Sequence, residues 1–293
     1  MDFELFNSAS MVLADVVSNP NELISDPFSA VSLILIGLMV GIAIGLSGLG
    51  GAPLLLPPLI MMGIPPQLVI GANLAFIFVT KLFASILHGK EQNINWKALG
   101  FLLVPVVPVM LFASWIWTEI KDNYGSDILD TVILLLLGIL LLATSLYMLK
   151  NNIVKKSSDD DSVSPHHNFT QGEKTTFLGT SSVISFITQI ASSGAGAMIL
   201  PILVKKCHCP PKHVAGTSVL FGVAISAVGT ILHYNMGNIP FLLVLFLLIG
   251  SIPGVFLGVK VTSKISSRKL ISIFSSIILI ASVFLISRAF GII

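Results

Sequence analysis

One stretch of this chain occurs twice, and both copies lie in sequence apolar enough to sit in lipid. The first runs from Pro65-Pro66 through Gly71-Ala72-Asn73 to Ile86-Leu87-His88 and Asn93-Ile94. The second runs from Pro210-Pro211 through Gly216-Thr217-Ser218 to Ile231-Leu232-His233 and Asn238-Ile239. The register is constant: Pro65 aligns with Pro210 and Ile94 with Ile239, an offset of 145 (210 − 65). Upstream the offset falls by one, pairing Gly50 with Gly194 and Pro57 with Pro201. An internal repeat in a polytopic membrane protein is the usual build of a secondary transporter. The functional question therefore becomes which solute is moved, rather than which reaction is catalysed.

Composition agrees. Apolar residues make up 54% of the chain and charged residues 10%, against about 25% charged in a soluble domain. The net charge of +2 gives no reason to invoke nucleic acid; the implied partners are membrane lipids and a small anionic solute, with a second copy of the chain as a homodimer partner left open. Residues Met1–Val17 contain Asp2, Glu4 and Asp15 but no Lys or Arg, unlike the basic start of a cleaved signal, so they read as a retained tail. Cys207 and Cys209 flank His208 without a second ligand pair at zinc spacing, so reduced thiols in a short loop are expected, with no metal and no cofactor.

Long apolar segments fall at Ala30–Leu46, Leu68–Leu87, Ala98–Trp117, Ile128–Leu149, Val214–Leu232, Pro240–Val259 and Leu270–Ile286, with Thr175–Thr188 a shorter arm. Two more are too short to span: Pro53–Met62 and Ala197–Val204 would rise only about 12–15 Å as helices, half of a bilayer core. Each follows a small-residue break, Gly48–Ala52 and Ser192–Gly196. Irregular backbone at membrane depth is tolerated only against protein or a wet cavity, so each break is expected to join two arms of a hairpin at mid-depth. If each hairpin returns to its starting side, one face collects Lys90, Lys97, Lys150, Lys155, Lys156, Lys174, Lys205, Lys206, Lys212, Lys260, Lys264, Arg268 and Lys269, and the other only Lys121 and Arg288. The positive-inside rule selects that topology. An odd number of crossings per repeat then inverts the second repeat.

The expected fold is thus an all-α polytopic membrane protein of two inverted-topology repeats, each a re-entrant or broken helical hairpin followed by three transmembrane helices. Residues 1–27 form a tail outside the cytoplasm, 28–149 the first repeat, 150–173 a cytoplasmic linker and 174–293 the second repeat. Both termini face outward from a plasma (inner) membrane. Gly37, Gly41 and Gly45, and Gly250, Gly254 and Gly258, lie on single helix faces suited to close backbone approach. Trp96 and Trp117 are placed at membrane interfaces.

The breaks come first as candidate sites. A half-helix that begins inside the membrane presents unpaired N–H groups and a positive dipole end, so Gly50, Gly51 and Ala52 in one repeat and Ser193, Gly194 and Gly196 in the other suit an anion, with Gln189 as an added donor. Asn73 and its counterparts Thr217 and Ser218 head helical faces that are small and polar by membrane standards, as a solute path requires. Lys81 is the one ionisable residue deep in a predicted helix; it either binds an anion or exchanges a proton, or snorkels to the surface. His88 and His233 end equivalent helices and suit gates or proton handles. No Asp or Glu is expected inside a span, which leaves a membrane-embedded enzyme without its acids.

The break, half-helix and Pro pattern at Gly48–Pro57, the Pro-Pro-x4-Gly-[Ala/Thr]-[Asn/Ser] run, the Ile-Leu-His helix end and the following Asn-Ile, all present twice and in order, resemble the TauE/SafE sulfite exporter family. The resemblance covers about residues 30–290. It implies a plasma-membrane carrier exporting sulfite, sulfoacetate or a related small organosulfonate, with Gly48–Ala52, Ser192–Gly196, Gly71–Asn73 and Gly216–Ser218 along its path. This chain departs from the family in Ser192-Ser193-Gly194-Ala195-Gly196, a diluted glycine cluster, and in Gly71-Ala72-Asn73 where Gly-Thr-Ser is common. A passive anion channel of the same fold is the alternative.

Overall fold

A computed structural model describes residues 27–47, 52–87, 94–151, 169–192, 195–207, 211–262 and 267–291. Among them are eleven helices and no strand: α1 Pro27–Ser47, α2 Ala52–Met61, α3 Pro66–Leu87, α4 Trp96–Leu103, α5 Val106–Tyr124, α6 Ser126–Asn151, α7 Gln171–Ala191, α8 Ala195–Lys206, α9 Pro211–Asn235, α10 Phe241–Thr262 and α11 Ser267–Ala289. Five stretches are long and apolar enough to cross a membrane, Pro66–Phe83, Trp96–Tyr124, Ser126–Leu146, Gly216–Asn235 and Phe241–Gly258. The expected helix positions are borne out to within a few residues, with one difference. The single segment Ala98–Trp117 is two helices, because Pro105 has no N–H to give Phe101 and the ladder restarts at Val106. The displaced carbonyl of Leu102 accepts instead from the hydroxyl of Ser181 on α7.

The glycine faces do what their spacing implies. A methyl on Gly41 would lie 2.7 Å from the Cα of Ser251, and one on Gly254 would lie 3.0 Å from the backbone N of Ile42. Gly37 and Gly250 likewise meet the carbonyl oxygens of Leu247 and Ile34. Residue numbers rise together along this seam, so α1 and α10 run parallel, backbone against backbone.

The α7–α8 hairpin returns to the end from which it starts. Phe169, just before α7, sets its ring edge-on to Phe101 of α4 at 6.4 Å. At the far end of the hairpin, Cys207 receives a contact from Asn95 Nδ2, the residue that opens α4, at 3.6 Å. Both ends therefore reach one short helix. Asn95 also accepts from Ala98 N through its side chain and donates its own N–H to Thr217 Oγ1. That end of the bundle carries Lys97, Lys174, Lys206 and Lys260 and is here called the lysine-rich end; the opposite end carries Lys121 and Arg288.

Helices α3 and α9 cross antiparallel at the centre. Leu74 packs on Gly229, and Lys81 on Gly222. At the lysine-poor end Gly71 touches the carbonyl of Asn238, in the turn after α9. A side chain at position 71 would have to displace main chain, so glycine is required there by approach rather than by φ. Also at that end, Asp130 meets the side chain and backbone of Gln67 in the first turn of α3. Asp130 lies inside α6, which corrects the expectation that no acid falls within a span. As an acceptor at a helix start it is stabilising.

Candidate functional site

Seven buried polar side chains gather where α7 ends against α3, α5 and α9. Asn73 on α3 donates through Nδ2 to both the carbonyl and the hydroxyl of Ser192, at 3.2 and 3.0 Å. Ser192 closes α7 in the left-handed region, φ 48°, an uncommon conformation for a residue with a Cβ. Two hydrogen bonds from Asn73 help hold it there. One turn earlier, Gln189 donates to Ser114 Oγ of α5 at 2.8 Å, and its backbone carbonyl lies 3.1 Å from His233 Nε2 of α9. The indole of Trp117 stands edge-on to His233, ring centres 5.1 Å apart. Ser185, one turn back on α7, completes the line.

The line reads as a polar stripe on α7: Ser181, Ser185, Gln189 and Ser192 recur every three or four residues, one face of a helix. All four are essentially excluded from solvent, as are Thr188, His233 and Trp117. Several of their atoms have no hydrogen-bond partner among the described residues: Gln189 Oε1, His233 Nδ1, Trp117 Nε1, Ser185 Oγ and Thr188 Oγ1. An unmade hydrogen bond costs roughly 1–3 kcal/mol per buried group, and apolar surroundings offer no water to relieve it. These five atoms mix donors and acceptors, so the cluster suits a polar guest with oxygens to offer.

Several sequence candidates are brought together here: Asn73, Gln189 and His233. Thr217 lies apart, at the lysine-rich end, where its hydroxyl donates to the His213 carbonyl at 2.6 Å and accepts from Asn95. Ser218 is buried beside it on α9. Lys81 is neither snorkelled nor in the cluster. Its ammonium lies against Gly222 at the α3–α9 crossing, twelve residues into a helix of 25. Among the described residues, none forms an ion pair with it. Ala52 starts α2 and Gly196 falls in the first turn of α8. Gly50, Gly51, His88, Ser193 and Gly194 lie outside the described residues.

Three expectations need correcting. Trp117 is a core residue, 2% exposed, because it packs on His233 rather than meeting an interface; Trp96, at 68% exposed, does take an edge position. Cys207 is disulfide-bonded, not a reduced thiol. The break after α7 also falls past the midpoint of α3, toward the lysine-poor end. α7 has 21 residues and so rises about 31 Å, and Ser192 meets α3 at Asn73, seven residues from the lysine-poor end of that helix.

The sequence does not single out Ser114, Ser185 or Thr188, and it marks Trp117 only as an interface residue. A lone hydroxyl on an apolar helix usually bonds its own i−4 carbonyl, as Thr80, Ser226 and Thr230 do here. The usable signal was the three-to-four spacing from Ser181 to Ser192.

The sequence matches the family described as sulfite exporter TauE/SafE over residues 33–285. The probable membrane transporter protein YjnA of Bacillus subtilis (strain 168) is 29% identical over 259 residues, covering 88% of this chain and 100% of that protein. The probable membrane transporter protein MJ0441 of Methanocaldococcus jannaschii is 27% identical over 274 residues, covering 87% and 94%. A second B. subtilis protein, the probable membrane transporter protein YunE, is 23% identical over 261 residues, covering 86% and 95%. No solved structure matches the chain. With a family match running through nearly every helix described above, the chain belongs to the TauE/SafE sulfite exporter family of multi-pass membrane transporters.

Proposed function

We propose that the chain is a secondary transporter that exports a small sulfur-containing anion, such as sulfite, sulfoacetate or a related organosulfonate, across the plasma membrane by alternating access. The observation that carries this reading is the buried cluster around Gln189, with five polar atoms lacking partners among the described residues at membrane depth. Trp117 Nε1, Ser185 and Thr188 are neutral donors, which suit an oxyanion that must later be released.

The inverted-repeat reading has support in the packing. Exchanging α1, α2, α3, α4–α5 and α6 with α7, α8, α9, α10 and α11 turns the α1–α10 seam into the contacts of α7 with α4 and α5. It turns α2–α3 into α8–α9, α3–α10 into the contacts of α9 with α4 and α5, and α1–α11 into α7–α6, while α3–α9 and α6–α11 map onto themselves. Contacts α5–α6, α2–α11, α3–α6 and α7–α9 have no counterpart of similar extent. Repeats that pack unequally in one state are what alternating access needs. With lysines inward, both termini lie outside, and the fully buried Gln189 and His233 close the outer side.

Transport is tested in proteoliposomes loaded with labelled sulfite. A monoanion leaving a negative compartment gains about 2.3 kcal/mol per 100 mV, so efflux should accelerate when potassium and valinomycin make the lumen negative. Efflux that ignored potential and followed only a pH gradient would replace this scheme with electroneutral proton coupling. Accumulation of a second anion against its gradient, driven by sulfite leaving, would separate a carrier from a channel.

A further inference from the structure

At the lysine-rich end, a lateral cavity of about 520 Å³ opens beside the broken helix, lined by Trp96, Lys97, Phe101, Val104, Phe169 and Lys174. None of its lining residues belongs to the Gln189 cluster, and nothing in the transport scheme uses it. Its chemistry is divided. Lys97 and Lys174 come from two helices and stand at one rim, with the Lys174 ammonium 5.6 Å from the centre of the Phe101 ring. The floor is aromatic: Phe169 meets Phe101 and Phe177 edge-on. Gly100 also lines the cavity, and a Cβ there would meet nothing within 4 Å.

From this cavity an apolar track continues along the outside of the bundle. Val104, Val107, Leu111 and Trp115 are each about half exposed or more, and their three-then-four spacing keeps them on one face. From Val104 to Trp115 the rise is roughly 16 Å, about half the roughly 30 Å hydrocarbon core and so one leaflet deep. Two cations and a tryptophan at the level of helix starts, above an apolar track one leaflet long, match one kind of molecule in both charge and length.

We propose that this cavity is a binding site for an anionic phospholipid. The phosphate sits between Lys97 and Lys174, the glycerol region lies over Gly100 and Phe101, and one acyl chain runs down Val104, Val107, Leu111 and Trp115. An ammonium gains from an anionic headgroup what it lacks with a zwitterionic one.

The test uses the full chain in nanodiscs holding equal parts of phosphatidylglycerol and phosphatidylcholine, with lipids retained after detergent extraction counted by native mass spectrometry. The wild type should retain phosphatidylglycerol at least fivefold over phosphatidylcholine. Lys97→Gln with Lys174→Gln should bring that ratio near one, while Lys260→Gln, at the same end but outside the cavity, should not change it. Gly100→Leu fills the cavity in open space and should lower retention without loss of folded protein. Equal retention of both lipids by the wild type, or an unchanged ratio in the double variant, would overturn the proposal. So would displacement of bound lipid by 10 mM (on the order of a generous excess) glycerol 3-phosphate, since that would make the site one for free phosphate anions. Retention is read without transport, so failure here leaves the export scheme standing, and failure of export leaves this site standing.

Discussion

Two helix crossings run through the middle of this protein, and both are built on glycine to different ends. In the α1–α10 seam, Gly37, Gly41, Gly250 and Gly254 face main-chain atoms of the other helix. In the α3–α9 crossing, Gly222 faces the end of a lysine side chain and Gly229 faces the methyls of Leu74 and Met110. The first arrangement has no room and no adjustable part. The second leaves space for groups that can move, one of them charged. The same residue type thus makes one crossing a fixed support and the other a place where a solute or a conformational change can be accommodated. Only the neighbour of the glycine distinguishes them, and that neighbour is not adjacent in sequence.

The comparison is broken most severely at the fixed seam. Gly250→Leu should remove most folded protein, because even its Cβ would fall 2.8 Å from the backbone N of Leu38, and main chain cannot yield cheaply. One forced methylene in a packed core costs about 1–3 kcal/mol, and leucine adds several. The check is the monodisperse fraction by size-exclusion chromatography after extraction, with Gly250→Ala as the graded case. Normal yield of the leucine variant would mean the helices separate without penalty and the seam is not a support.

At the movable crossing the same kind of change should separate folding from function. A Cβ at Gly222 meets Lys81 Nζ first and Lys81 Cδ at 3.1 Å, the far end of a flexible side chain that can swing away. Gly222→Ala should keep its thermal midpoint within a few degrees but lower efflux about tenfold, as expected if Lys81 has to occupy that place. Lys81→Gln should reproduce the loss, and Gly222→Ala in that background should add little. Additive losses would mean that the two residues act independently.

How far this contrast was legible in the sequence depends on the residue. The glycine spacing on α1 and α10 was enough to predict a seam, since a four-residue period of glycine in lipid has few other uses. The hairpins, their short second arms and the ends of most helices also followed from apolar length and small-residue breaks. Lys81 was visible as an oddity, yet its direction was not, because a lysine two turns from a helix end can run either way. The α7 stripe was harder still. Ser181 reaches the Leu102 carbonyl on another helix, at the end of α4 where the ladder stops short of Pro105, and nothing local to Ser181 encodes that. Trp117 was misplaced for a similar reason: its partner, His233, is far away in sequence.

A smaller effect sharpens the account of the α7 break. Asn73→Ala removes both hydrogen bonds to Ser192, so the left-handed residue loses its brace. Loss of hydrogen bonds of this type costs roughly 1–2 kcal/mol. If the solute is held near this break, the apparent affinity for sulfite should weaken about tenfold in a thermal-shift titration, with a modest fall in the midpoint of the unliganded protein. Asn73→Asp keeps the shape but loses the amide donor, and should weaken binding further through its charge. Unchanged sulfite dependence in both variants would move the solute path away from α3.

The mildest change is the control that makes the others interpretable. Gly179 lies on the exposed side of α7, where an added Cβ meets nothing within 4 Å and a shallow lateral cavity of about 360 Å³ separates α7 from α8. Gly179→Ala therefore introduces no clash, and removes the conformational freedom that makes mid-helix glycine less stable than alanine by about 0.5–1 kcal/mol. The expected result is a small rise in thermal midpoint with sulfite efflux unchanged. The polar stripe on α7 runs through Ser181, Ser185 and Gln189, and position 179 is off that face by geometry: two residues separate it from Ser181, which on a helix is about 200° of rotation. If Gly179→Ala slowed efflux as much as Gly222→Ala does, α7 would have to bend during transport at that glycine. The hairpin would then be a moving part throughout its length, and the division between a fixed seam and a movable crossing would have to be redrawn to include it.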